Sequence, residues 1–393
     1  MQQTLGVDTE ASPSKPPVSE AGAVLSTLVI LGASTTALAV ARDAHRHGLR
    51  PVVVDSQDGP AFHSRWTTAV NLEPVASGAW LAQISGLGGA HAALIATSDY
   101  WIRFLIDHRR RLSASYALIV QPDDSTLEIC LDKKVFADWC IASGLPAPAA
   151  WSPGREPRPV LLEFPALLRP LRTMHSVQQS ALPKAVQIND EAELEHWLQK
   201  FAAQRAIPLV TQSLLGRPLE QYSVPFARRA EKTLLFTARK VRPSAELCQT
   251  GTCVQMCVDV RAERLARLAI ERLDYFGIGE VEILRDTVTG KDYLIEINAR
   301  PWLQYALAPA SNHDFLGLVL ERPGTNNQRA VKVGRTWVDL YPDLFSAFSR
   351  SVGVVRHGRL GLLAYLRSLA RCNVFALFDW RDPLPFLRSL RHR

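Results

Sequence analysis

The chain of 393 residues is too long for one compact core, and its apolar content of 47% is high enough for most of it to fold. Its formal charge of +7 equals the excess of nine arginines (350, 356, 359, 367, 371, 381, 388, 391 and 393) over Asp379 and Asp382 near the C terminus. The remainder is nearly neutral, which argues against a nucleic-acid-binding body.

Residues 1–24 carry Ser, Pro, Glu and Lys without apolar periodicity and read as a disordered arm, not a secretory signal. Leu28-Val29-Ile30-Leu31 is a buried strand entering a turn at Gly32. Residues 35–47 have helical periodicity, and Pro51 to Asp55 form a second strand. This predicts a Rossmann-like domain over 25–127. Ser34 and Ala37 stand where a dinucleotide fingerprint needs glycines, so a structural βαβ unit or small-substrate domain competes with a nicotinamide site.

Asp132 is a predicted N-cap for a helix with Phe136, Trp139 and Cys140 on one face and Gly144 as its stop. Strand signals follow at 160–169, broken by Pro165, and at 207–212, with a helix over 189–204 between them. A strand is expected over 232–242 and a helix over 260–276 ended by Gly277. Strands over 278–285 and 292–298 then surround a turn at Thr289-Gly290. Beyond these lie a strand-like 336–340 and a helical 360–371. No apolar stretch reaches the roughly 18 residues that span a bilayer. The six irregularly spaced cysteines form no disulfide scaffold and point to a reducing cytoplasm. Cys248, Cys253 and Cys257 cluster without a second ligand pair, as reduced thiols or an incomplete metal site.

The strongest chemical signal is the hairpin 280–298. Strand alternation puts Glu280, Glu282 and Leu284 on one face, and Leu294, Glu296 and Asn298 on one face of the returning strand. A turn centred on Thr289 sets Glu282 opposite Glu296. Like charges directly across a ladder are destabilising, so the pair calls for a cation between them. Magnesium fits, sharing carboxylate oxygens with the phosphates of a nucleotide, and Asn298 adds a neutral oxygen. The competing reading is a solvated acidic hairpin face.

Glu282 and the run Leu294-Ile295-Glu296-Ile297-Asn298-Ala299-Arg300-Pro301-Trp302 resemble the metal-binding signature of the ATP-grasp superfamily, with Ala299 where proline is commoner. Leu131-Asp132-Lys133-Lys134 with the helix behind it resembles the entry to that family's first nucleotide-binding lobe. The run 207–216 resembles its adenine hinge, and Phe236 to Pro243 its basic strand over the triphosphate. Trp337-Val338-Asp339-Leu340 and Asp379-Trp380-Arg381-Asp382 resemble the carboxylate–amine ligases grouped with D-aspartate ligase.

The resemblance implies an α/β chain: the Rossmann-like domain, an ATP-grasp small lobe over 128–212, a metal and phosphate lobe over 213–325, and a basic extension over 326–393. It implies ATP and magnesium (or manganese) as cofactors, with Glu282, Glu296 and Asn298 on the metal. Lys134, Arg169, Gln212, Glu220, Lys240 and Arg242 would hold the nucleotide. Gln212 would face adenine, and Glu220, or Gln221 one residue on, the ribose hydroxyls. Lys240 and Arg242 would share a strand face toward the phosphates, with Arg239 on the other. Arg300 would hold the transferred phosphoryl group or the substrate carboxylate, and Arg300 and Lys240 are the expected catalytic pair. Arg169 replaces the family's usual lysine, with Arg172 and His175 in the following loop expected to assist it; Gly251 lies in a stretch, 244–252, that reads as flexible and able to close over phosphate.

The implied reaction joins a small-molecule carboxylate to an amine through an acyl phosphate, which needs positioning and charge neutralisation and no nucleophilic side chain. Three other readings stand beside it: a degenerate ATP-binding regulatory protein, a bicarbonate-activating carboxylase-type enzyme and a Rossmann oxidoreductase. No nucleic-acid partner is expected. A homodimer is one expected assembly. The basic C terminus suits an anionic membrane, an acidic carrier protein or a solvated layer on the ATP domain.

Overall fold

The computed structural model describes residues 24–73, 77–159, 162–171, 182–212, 219–243, 251–322, 330–349, 355–356, 358 and 360–390. Its strands form three sheets. Five parallel strands come first, in the order Thr68–Asn71, Arg50–Asp55, Thr27–Leu31, Gly89–Ala96, Tyr116–Ile119. The apolar runs expected near residue 28 and residue 52 are adjacent central strands, buried on both faces as parallel strands must be.

The loop after Thr27–Leu31 shows why Gly32 is glycine. It has φ +112°, and a Cβ there would stand 2.4 Å from Thr97 Oγ1. Asp55 closes the same loop, its Oδ2 accepting from the Ala33 N–H at 2.8 Å and its Oδ1 from Ser56 N–H at 2.7 Å. The acid at the end of the second strand is thus occupied by backbone N–H groups.

Helix starts carry side-chain caps, with Asp132 where the sequence places one. Ser34 caps Thr35–Arg46, Asp132 caps Lys133–Ala142, and Asp190 caps Glu191–Ala203 by accepting from the Glu193 N–H. Each such cap contributes about 1 kcal/mol. The helix expected over 260–276 ends sooner, spanning Val260–Arg272. Gly277 opens the following strand at φ +110°, where a Cβ would lie 2.2 Å from the Val120 carbonyl oxygen. The glycine serves a close approach to the first sheet, not a helix stop.

The second sheet has four strands, Ala150–Trp151, Pro208–Gln212, Ala166–Pro170 and Val186–Ile188, with its own core of Ala166, Leu168, Ile188, Leu194, Phe201 and Val210. The third is eight-stranded and built around Asp292–Asn298, Gly277–Asp286, Leu219–Arg229, Thr237–Pro243 and Gly251–Cys257. Leu219–Arg229 gives little strand signal because Pro225 interrupts it; the ladder tolerates the missing donor. Thr336–Val338 and Val374–Phe375 continue this sheet, so part of the basic extension is integral to it.

The first and third sheets share cores. Val29, Leu31 and Leu94 join Val224, Val281 and Ile283 in one cluster, while Leu28, Ile30 and Val53 join Trp302, Phe315 and Trp337 in another. The C-terminal segment is fastened to the first helix by Asp382, which is fully buried. Its carboxylate accepts from Arg42 Nε at 3.0 Å, Ser64 Oγ at 2.8 Å and the Arg65 N–H at 3.0 Å. Among the described residues no helix is long and apolar enough to cross a membrane.

Candidate active site

The hairpin brings the expected acids together. Glu282 pairs with Glu296 and Glu280 with Asn298 across the ladder of Gly277–Asp286 and Asp292–Asn298. Near the turn the register differs by one, with Arg285 opposite Asp292 and Ile283 opposite Leu294. Ile295 is the extra residue that restores Glu282 to Glu296. The bulge also corrects the face assignment of Leu294, which enters the core beside Ile283 instead of sharing the side of Glu296 and Asn298.

Neighbouring strands complete this face. Gln221 Nε2 donates to Glu282 Oε2 at 2.8 Å, and Lys240 Nζ lies 3.6 Å from the same oxygen. Ser223 Oγ donates to Glu280, whose other oxygen accepts from Asn298 Nδ2 at 2.9 Å. Arg300 donates from Nη2 to Asn298 Oδ1 at 3.4 Å and from Nε to Asp99 Oδ1 at 2.6 Å. Burial, and then the charge of Glu282, push the Glu280 carboxyl up to about 7.

Three expectations are corrected. Arg242 does not share the phosphate-facing side with Lys240. Lys240 pairs with Val254 and Arg242 with Cys253, so a bulge at Val241 turns Arg242 to the other face. There it donates to Asp343 Oδ1 at 2.8 Å and Ser368 Oγ at 2.7 Å. Glu220 also points away: it accepts from the Tyr222 hydroxyl at 2.6 Å and lies 3.5 Å from Arg239. Alternation instead puts Gln221 and Ser223 on the acid face, with Arg239 opposite Lys240 as expected.

The third correction concerns the lysine pair. Lys134 is engaged with Asp138 at 2.7 Å and Glu156 at 3.0 Å. Its neighbour Lys133 is half-buried, within electrostatic reach of Glu296, Arg169, Asp99 and Asp132. Burial lowers its ammonium pKa; Glu296 opposes that shift and Arg169 adds to it. Because the helix begins at Lys133, its first two residues diverge by about 100°, a distinction invisible in a Lys-Lys pair.

Arg169 lies on the small sheet opposite Leu209, with Leu168 turned into the core beside it. Its Nε is shielded from solvent yet has no hydrogen-bond partner among the described residues. An orphaned guanidinium donor of this kind suits an anionic ligand. Gln212 ends its strand opposite Ala166. The roles expected of the Gln212 side chain, Arg172, His175 and 244–250 lie outside the described residues. Gly251 is described: a Cβ there would stand 2.9 Å from Lys240 Cγ, so this glycine makes room for the lysine stem.

No group of three or more His, Cys, Asp or Glu side chains among the described residues forms a metal cage. The donor set nevertheless suits magnesium, which characteristically takes one or two carboxylates and leaves its other positions to phosphate and water. Glu282 and Glu296 facing across a ladder, with Asn298 beside them, supply that number. The Glu280 carboxyl beside them is raised first by its burial and then by the charge of Glu282, while Lys240 and Arg300 oppose the shift.

No protein-family model matches the chain, and no curated protein matches it in sequence. Solved structures do match in fold. An ADP complex of N5-carboxyaminoimidazole ribonucleotide synthetase has a TM-score of 0.64 at 16% identity, over 86% of this chain and 87% of that one. The Staphylococcus aureus N5-carboxyaminoimidazole synthetase complexed with ADP gives 0.64 at 14% identity, over 81% and 83% of the two chains. An L-amino acid ligase from Bacillus licheniformis gives 0.57 at 15% identity, over 79% and 78%. The chain has the fold of these synthetases and ligases, the ATP-grasp fold that its motifs resemble.

Proposed function

We propose that the protein is an ATP- and magnesium-dependent ligase that joins a carboxylate to an amine and releases ADP and phosphate. The observation that carries this reading is the opposed pair Glu282 and Glu296, flanked by Asn298 and faced by Lys240, Arg300 and the half-buried Lys133. A pair of acids ringed by cations accommodates a metal–polyphosphate complex better than either charge alone. The neighbours solved with ADP support the nucleotide, and the L-amino acid ligase supports the acid and amine.

In this reading a substrate carboxylate oxygen attacks the γ-phosphorus, forming an O–P bond as the bond to the bridging oxygen breaks and ADP leaves. The amine nitrogen then attacks the acyl carbon, the C–O bond to phosphate breaks, and the nitrogen's proton passes to solvent. Phosphorylation is needed because oxide cannot leave at neutral pH. Magnesium, when bound, neutralises phosphate charge. Lys240 and Lys133 hold phosphate oxygens by charge. Asp99 fixes the Arg300 fork so that it presents its free donors to a carboxylate or phosphoryl group. Gln221, on the acid face, takes the ribose-side place expected of Glu220, and Arg169 reaches the phosphates from the small sheet.

The test is ADP release from purified protein with magnesium-ATP across a matrix of amino acids, small acids and amines, with mass spectrometry of products. A product equal in mass to acid plus amine minus water, formed with one ADP, is expected. ATP binding without ADP release from any pair would replace this reading with the degenerate, regulatory one. ADP release stimulated by bicarbonate alone would replace it with carboxylase-type chemistry.

A further inference from the structure

The C-terminal layer has an inverted polarity. Helix Leu340–Phe348 buries Asp343 and Ala347 while Tyr341, Leu344, Phe345 and Phe348 are exposed, at spacing i, i+3, i+4, i+7. That is an apolar stripe facing outward. Helix Leu362–Ala370 repeats the pattern, turning Tyr365 inward and leaving Leu362, Leu363 and Leu366 exposed. The cause is Arg242. Asp343, Ser368 and the Tyr365 ring face inward to hold this buried guanidinium, with Tyr365 also donating to Asp343 at 2.9 Å.

The stripes adjoin one another. Phe348 meets Tyr365 edge-on at 5.9 Å between centroids, and a cavity of about 260 Å³ is bounded by Tyr341 of the first helix together with Phe378, Phe386 and Leu390. Trp380 is 74% exposed and carries Arg381 over its ring at 4.8 Å. Among the described residues, exposed large apolar side chains elsewhere are mostly valines, and every exposed Phe and Trp lies in this layer.

Charge decides what covers it. Residues 336–390 contain no lysine or glutamate, and their aspartates are 339, 343, 379 and 382. Asp343 and Asp382 are buried in ion pairs with Arg242 and Arg42, whereas Arg356, Arg367, Arg371, Arg381 and Arg388 are exposed. A second copy would oppose arginine to arginine. We propose that this face docks peripherally on an anionic lipid bilayer, with Phe345, Leu363 and Trp380 entering the interface and the arginines meeting headgroup phosphates.

Flotation of the full chain with phosphatidylcholine vesicles containing or lacking phosphatidylglycerol tests this. Binding is expected only with phosphatidylglycerol, weakened by salt. Arg367→Glu and Arg371→Glu should each lower partitioning about fivefold or more. Phe345→Ser combined with Leu363→Ser should abolish it with the melting temperature retained. Absence of flotation on anionic vesicles at low salt would overturn the proposal, as would equal partitioning of wild type and both variant classes. A stable dimer dissociated by Phe345→Ser, in a protein that does not float, would assign the face to a second copy instead.

Discussion

Lys240 Nζ stands 3.6 Å from Glu282 Oε2, reaching across the intervening strand Leu219–Arg229 to the acid that faces Glu296. Its stem lies on Gly251, where a Cβ would approach Cγ to 2.9 Å. Gly251→Ala should displace the ammonium from Glu282 and lower turnover about tenfold, with a smaller effect on melting temperature. Comparison of kcat with thermal unfolding checks this; unchanged kcat would show that the lysine's placement is unimportant.

The adjacent lysines should separate cleanly. Lys133→Met removes a half-buried cation within electrostatic reach of Glu296 and Arg169 and should weaken ATP binding about tenfold or more. Lys134→Met removes ion pairs with partly exposed Asp138 and Glu156, changes stability by about 0.5 kcal/mol and leaves ATP affinity unchanged. Calorimetric titration of both variants with ATP decides, and the reverse ranking would restore Lys134 to the site.

Arg242 should behave as a structural residue. Arg242→Leu leaves Asp343 buried with its ion-pair partner gone, at a cost of about 3–5 kcal/mol. Adding Asp343→Leu should recover much of that loss, because the uncompensated charge is removed. Urea unfolding of the single and double variants measures the recovery; a single variant of wild-type stability with lost ATP binding would return Arg242 to the phosphates.

Glu280 predicts a pH dependence. Its carboxyl, raised by burial and then by Glu282, titrates near 7 in the folded chain against a usual 4.5. The folded state therefore binds the proton more tightly, and the stability this contributes is full below about 4.5 and lost as pH rises through about 7. In metal-free and nucleotide-free protein, Glu280→Gln should gain stability relative to wild type across that window. Melting curves of the two proteins that stay parallel with pH would contradict it.

The architecture was legible where local signals agree with tertiary demands. Asp132 and Asp190 cap the helices expected of them, and the apolar runs at Leu28 and Val52 are central strands. The opposition of Glu282 and Glu296 was legible too, although a symmetric turn at Thr289 is not its cause; the bulge at Ile295 is. What failed was facing. Alternation counts through an unbroken strand, and the bulges at Val241 and Ile295 each reverse it, taking Arg242 and Leu294 to unexpected sides. At Glu220 and Lys134 the side chain nearer the acids is one residue away, at Gln221, which the sequence offers beside Glu220, and at Lys133, since sequence does not distinguish adjacent polar side chains until strand register and helix phase are known.

The central claim is that Glu282 and Glu296 hold the divalent cation of a bound nucleotide. Manganese binding, followed by electron paramagnetic resonance in the presence of ADP, tests it without knowledge of the acid or amine. Wild-type protein should bind manganese tightly only with nucleotide, and Glu282→Gln or Glu296→Gln should weaken that binding about tenfold or more with secondary structure intact. Identical manganese isotherms for wild type and both variants would contradict the account.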